Sequence, residues 1–196
     1  MPKIAFIFIR GITAYFHHIL YKLRRISIMK FTIQKPDNFV DNYEILSGSP
    51  NDLLSDEATC AAVCKIWRQL IDAENNYRQE YGIKYEVEYV RDEQIIEALK
   101  GVKSLYLVKK ESGELIGIAC TKETQFNNIY YISDVAILEE FRGQGIGKVL
   151  MEQIMQDNVP GVPTLMVDLN NKHAVDLYRD LGFVECSVKM ILAPKA

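Results

Sequence analysis

"ILEEFRGQGIGKVLMEQI", residues 137–154, decides how this chain is read. An apolar run leads in, Gly143, Gly145 and Gly147 alternate through the middle, and helix-like spacing of apolar residues follows. Glycine gives up more chain freedom on folding than any other residue, so three in five positions at a strand-to-helix corner need a physical reason. A corner alone needs one. Alternating glycines bare successive backbone N–H groups, which can converge on an anion at the positive end of a helix dipole. Arg142-x-x-Gly145-x-Gly147, running straight into a helix, therefore reads as a diphosphate cradle. Gln144 and Ile146 contribute amides to it, and Lys148 lies within reach to add charge.

A dinucleotide loop is the competing reading. Gly143-x-Gly145 begins it correctly, and Asp168 falls near the place of a ribose-binding acid. Its third glycine should stand at position 148, where Lys148 is found, and residues 149–196 leave no room for a second mononucleotide-binding half.

Working outward, "SLYLVKK" and "ELIGIACTK" flank "ESG", a hairpin turning at Gly113, and "IYYISDVAIL" is a third, longer strand. Downstream come a helix over 145–157, a break at "NVPG", a buried strand "VPTLMVDL", a helix over 172–181 stopped by Gly182, and a last strand "FVECSVKMIL". Upstream, "MKFTIQKP" reads as a first strand, while 37–54 stays open around the turn cluster "LSGSPND". Ser55 caps a long helix with Asp56 and Glu57 in its first turn; Val63, Ile66, Trp67, Leu70, Ile71, Tyr77 and Tyr81 recur at helical spacing up to Gly82. "YEVEYV" alternates as a short strand, and Asp92 caps a small helix through Lys100. Strands that give way to strand–helix–strand–helix–strand predict an α/β fold with helices on the faces of a mixed sheet.

Composition sets the frame. One compact domain suits 196 residues with 48% hydrophobic content, and a formal charge of −3 argues against a general nucleic-acid binder. The charge is unevenly spread: residues 1–36 carry seven Lys/Arg and no acid, leaving 16 of the 23 to face all 26 acids. Residues 1–28 thus look like a basic, apolar leader, and 29–196 like a single domain. Arg10, His17, His18 and Lys22 break the leader's apolar runs well short of the roughly 20 residues of a membrane span. Two readings of it stand, a basic amphipathic segment that contacts a membrane or partner, and an extension outside a fold that starts at Met29. The second is favoured because "MKFTIQKP" already reads as a strand. Cys60, Cys64, Cys120 and Cys186 lack CxxC spacing and read as small apolar residues in a reducing cytoplasm, with no metal site.

"DVAILEEFRGQGIG", residues 134–147, resembles the central motif of the GCN5-related N-acetyltransferases (GNAT), which bind acetyl-coenzyme A. "NKHAVDLYRDLGF", residues 171–183, resembles that family's second signature, N-x-x-A-x-x-L-Y-x-x-x-G-F. Glu139 stands where the family usually has proline. The resemblance implies the acyl-CoA N-acyltransferase fold: a mixed, mostly antiparallel central sheet with a splayed parallel strand pair and helices on both faces. It implies acetyl transfer from coenzyme A to a primary amine by direct attack. The pantetheine arm would pair along Val135, Ala136 and Ile137, Asn171 would bond the pantetheine or nearby backbone, and Tyr178 would be the general acid for the departing thiolate. No cysteine or serine in the motifs has a paired histidine, so a covalent acyl-enzyme is not expected.

The base stays unnamed. Strict alternation would put Tyr131, Ser133, Val135 and Ile137 on one face, which by resemblance looks toward the acceptor, and Asp134 on the other as a structural residue. Glu86, Glu88 and Glu123 are unranked carboxylates that could act through water. His173 reads as an exposed first-turn residue. "ENNYRQEYGIKYEVEY", rich in tyrosine and acid, would favour a cationic small-molecule or peptide amine. Monomer and homodimer are equally compatible with the sequence. The rival class is a non-catalytic acyl-coenzyme A sensor, which would keep the cradle without turnover.

Overall fold

The computed structural model describes residues 26–34, 40–82, 90–187 and 190. Six strands form one sheet in the order β1-β2-β3-β4-β5-β6. They are β1 Ile26–Gln34, β2 Val40–Gly48, β3 Ser104–Lys110, β4 Leu115–Glu123, β5 Ile129–Ile137 and β6 Val162–Leu165. Every neighbouring pair is antiparallel except β5 with β6, which is parallel. The helices are α1 Pro50–Leu53, α2 Glu57–Glu80, α3 Asp92–Lys100, α4 Ile146–Asp157 and α5 Lys172–Asp180.

Two cores sandwich the sheet. On one face Val63, Cys64 and Ile66 of α2 and Ile95 and Leu99 of α3 pack on Leu105, Leu107, Ile118 and Cys120. On the other, Ile146, Leu150, Met151 and Ile154 of α4 pack on Tyr106, Val108, Ala119, Tyr130 and Ile132. Successive β3 residues feed opposite cores, as the two-residue period of a strand requires. The mixed sheet with helices on both faces is the expected architecture.

Several local readings shift. β1 starts at Ile26, three residues before Met29, and residues 1–25 of the leader lie outside the described residues. The open stretch 37–54 contains β2, whose Tyr43 and Ile45 are buried. The cap of α2 is Asp56, whose side chain accepts from Thr59 N–H at 2.8 Å, one residue beyond Ser55. Asp92 is the first residue of α3 rather than its cap; Arg91 takes that place, its N–H donating to Gln94 Oε1. Most of "YEVEYV", with Glu86 and Glu88, lies outside the described residues. Residues 183–187 do not join the sheet, so the expected last strand is not formed there, and most of its remainder is undescribed.

Candidate active site

β5 carries the feature that builds the site. Asp134 pairs with Cys120 of β4 and Ile132 with Thr121, leaving Ser133 unmatched. An extra residue of this kind is a β-bulge, and it resets which face each later side chain takes. Before the bulge Tyr130 and Ile132 join the α4 core; after it Val135 and Ile137 do, while Ala136 and Leu138 join the α2/α3 core. The expectation that Tyr131, Ser133, Val135 and Ile137 share one face is therefore wrong. Tyr131 and Asp134 instead lie on the α2/α3 side, opposite Lys122 and Cys120. Alternation cannot survive an inserted residue.

The bulge is also where the sheet opens. β6 pairs with β5 only from Ile129↔Val162 to Ile132↔Leu165. Beyond it β5 runs on to Ile137 without a partner from β6. Leu138 N–H donates to Ile116 O at 2.9 Å. In an antiparallel ladder alternate residues turn their backbone groups the same way. Ala136 thus spends its amide and carbonyl on β4, whereas Val135 and Ile137 present theirs to the open edge. Arg142 Nε takes one of these, donating to Ile137 O at 2.9 Å.

The glycine loop follows at the end of that edge. A single helical turn, Glu139–Phe141, leads into it, and Phe141 packs against both cores. Gly143 has φ +74° and Gly145 φ +84°, and a Cβ on either would meet nothing within 4 Å. Backbone conformation demands these glycines, and the space beside them is open. Gly147 is different. Its Cβ would touch Leu177 Cδ2 at 3.5 Å, an ordinary contact where α4 meets α5.

Gly145 is the cap of α4, its carbonyl accepting from Lys148 N–H at 3.1 Å and Val149 N–H at 3.2 Å. Among the described residues, nothing accepts a hydrogen bond from the N–H groups of Gly143, Gln144, Gly145, Ile146 or Gly147. The Ile146 side chain is buried and anchors the helix start, and that of Lys148 is exposed. Gln144 Oε1 accepts from Tyr43 Oη at 3.2 Å, tying the loop to β2. Five uncommitted amides at a helix N-terminus form a fitting receptor for phosphate oxygens.

Across the gap, Asn171 caps α5 by accepting from Ala174 N–H at 3.2 Å. Tyr178 lies on the same helix, half-buried against Phe183 with ring centroids 5.8 Å apart. Burial, and then the neighbouring Tyr131, push its phenol up to about 12. Tyr131 is raised by burial and by the carboxylates of Asp134 and Glu74. Asp134 is half-buried and accepts from Ser133 Oγ at 2.6 Å. Tyr131 thus feels both carboxylates and in turn acts on Tyr178, while Glu74 is itself paired with Arg78 at 3.3 Å; neither Glu74 nor this placement of Asp134 is apparent from sequence. The one available signal was a polar Ser133–Asp134 pair inside an apolar strand. Glu123 takes the α4 side of the sheet, largely exposed and paired with Lys103 at 3.6 Å. His173 is exposed, as expected. Asp168 accepts from Tyr81 Oη at 3.0 Å and from Asn170 N–H at 2.9 Å, so local structure accounts for it.

A sheet that opens beside a row of free amides leaves room for an extended chain with an anionic end. The model of the acetyltransferase (GNAT) family matches residues 67–183, over half of the chain, and the protein belongs to that family. An uncharacterized N-acetyltransferase, ycf52, of Gracilaria tenuistipitata var. liui is 35% identical over 83 residues, 41% of this chain and 44% of that one. An N-alpha-acetyltransferase of Sulfurisphaera tokodaii is 30% identical over 108 residues. That match covers 47% of this chain and 64% of the relative, so the chain spans less than two thirds of either relative's length. Among solved structures, a mutant Bacillus halodurans protein superposes with TM-score 0.58 at 19% identity, covering 78% of this chain and 99% of that one. An aminoglycoside acetyltransferase from an uncultured soil metagenomic sample gives TM-score 0.51 at 18% identity, with coverages of 79% and 99%. At these identities the two structures show the shared fold alone.

Proposed function

We propose that the protein transfers an acetyl group from acetyl-coenzyme A to a primary amine by direct attack. One arrangement carries the reading: the free amides of residues 143–147 lie at the end of the unpaired edge of β5, and Tyr178, on the helix that follows β6, is close enough to Tyr131 of β5 for the two phenols to interact. The diphosphate seats on the amides and the helix dipole of α4, with Lys148 adding charge. The pantetheine arm runs along Val135 and Ile137 as an added strand would, and Asn171 offers the side-chain nitrogen its cap leaves free. Ala136 holds β5 to β4.

Attack of the amine on the thioester carbon gives a tetrahedral adduct whose collapse releases a thiolate. Tyr178, with its phenol raised to about 12, holds its proton at neutral pH and delivers it to the leaving sulfur. Amine attack also requires loss of an ammonium proton. Asp134, beside Tyr131 on the same face as Glu74, is the carboxylate we assign as base. The acceptor is a cationic amine. The Asp134 carboxylate favours one, and the Sulfurisphaera tokodaii relative is named for an α-amine.

Thiol release from acetyl-coenzyme A with a pool of amines tests the reading. Turnover is expected, and Tyr178→Phe should lower it by about 10²–10⁴-fold with coenzyme affinity nearly kept. Tight coenzyme binding with no release across the pool would identify an acyl-coenzyme A sensor instead.

A further inference from the structure

On the α4 face, at the end of the sheet away from the glycine loop, lies an open cleft of about 940 Å³. Its walls include Ser47, Tyr106, Phe126, Tyr130, Asp157 and Val159. Ser47 and Tyr106 stand directly opposite each other on β2 and β3, and Asp157 closes the last turn of α4 above them. Ser47 Oγ donates to Asp157 Oδ2 at 3.1 Å, Gln153 Nε2 donates to Oδ1 at 2.6 Å, and the Tyr106 phenol donates as well. All three donors are neutral. Among the described residues no cation pairs with this half-buried carboxylate, and Lys103 on the cleft wall is already paired with Glu123 at 3.6 Å.

A carboxylate taken out of water without a counter-charge is costly, and burial raises the Asp157 carboxyl accordingly. A further observation points to a cationic visitor. The C-terminus of α4 opens here, and the carbonyl end of a helix dipole favours positive charge. Tyr130 lines the same wall, 4% exposed, its buried phenol oxygen without a hydrogen-bond partner among the described residues. At the rim, Phe126 and Val159 are 61% and 73% exposed and offer apolar surface for a short aliphatic chain.

We propose that this cleft is a second binding site, separate from the acetyl-transfer site, which takes the ammonium end of an aliphatic diamine or polyamine. The ammonium donates to Asp157 beneath the end of α4, and the methylene chain lies over Phe126 and Val159.

Calorimetric titration of the full chain with 1,4-diaminobutane tests this, run on wild type and on Asp157→Asn, Phe126→Ala and Asp134→Asn. Saturable binding is expected, weakened about tenfold or more by Asp157→Asn through loss of a charge-assisted contact. Phe126→Ala, at an exposed position that leaves the core untouched, should weaken it a few-fold, and Asp134→Asn, which alters the acetyl-transfer site, should leave the Asp157-dependent binding in place. Coenzyme affinity retained by Asp157→Asn confirms that the variant is folded. The proposal is overturned by equal affinity in Asp157→Asn and wild type, or by no saturation up to about 10 mM. Loss confined to Asp134→Asn would place the diamine in the acceptor site and overturn it equally.

Discussion

Replacing Gly145 with aspartate puts the cradle to a quantitative test. The residue sits at φ +84°, where an L side chain costs on the order of 1–2 kcal/mol, with aspartate and asparagine among the best tolerated. Its Cβ would meet nothing within 4 Å, so the variant folds without a clash. The expected fall in Tm is only about 2–4 °C per kcal/mol of strain for a chain of this size. Binding is another matter. The new carboxylate would project into the space that the free amides of residues 143–147 surround. At a separation of about 5 Å and an effective dielectric near 20, one unit of like charge costs about 3 kcal/mol. That corresponds to about 10²-fold in Kd for coenzyme A.

Gly145→Asn is the control, because it matches the shape and the backbone strain without the charge. Its loss should be about tenfold smaller and nearly independent of salt, whereas the aspartate's penalty should shrink as ionic strength rises. Isothermal titration with coenzyme A at two salt concentrations measures both. Acetyl-pantetheine, which lacks the diphosphate, should bind all three proteins alike. Unchanged coenzyme affinity in Gly145→Asp, or an equal loss toward acetyl-pantetheine, would refute the assignment of the diphosphate to this loop.

Other outcomes follow from the same geometry. Asp134→Asn should lower kcat/KM at neutral pH by about 10²-fold, with the deficit closing at pH values where the acceptor amine is already neutral; a deficit constant across pH would remove Asp134 as the base. Asp56→Ala should lower Tm by a few degrees at neutral pH through loss of the α2 cap. The Thr59 N–H bond holds the Asp56 carboxyl below its ordinary range. The cap's contribution is therefore present above the unfolded-state pKa and is lost as pH falls through the folded one. Thermal melts of the two proteins should converge in acid, and a gap that persists there would contradict the charged cap.

Features written in residue type were legible in the sequence. The β3–β4 turn needs a left-handed residue, and Gly113 at φ +90° supplies it. The start of α4 needs Gly145, and α5 ends before Gly182, also at φ +90°. Tertiary pairing left fainter marks. The alternation of Tyr43 and Ile45 in β2 was present in the sequence but hidden beside the turn cluster that follows it. The bulge at Ser133 leaves no mark of its own, because the face each later residue takes depends on a pairing with β4 that one strand cannot reveal. Asp134 was consequently put on the wrong face for its neighbours, and Glu74 was unreachable because it comes from α2, far away in the chain. The N–H groups of residues 143–147 have no acceptor among the described residues, in keeping with a run of alternating glycines, while Gly147 also meets Leu177 of α5.

Peptide groups are common to every amino acid, so a partner gripped through the unpaired run of β5 is read by atoms that substitution leaves in place. Side chains along that run are thereby released to suit different acceptors, while the grip itself persists. Homologues built this way can drift far apart in spelling and still hold one donor, with little beyond a few glycines to betray it.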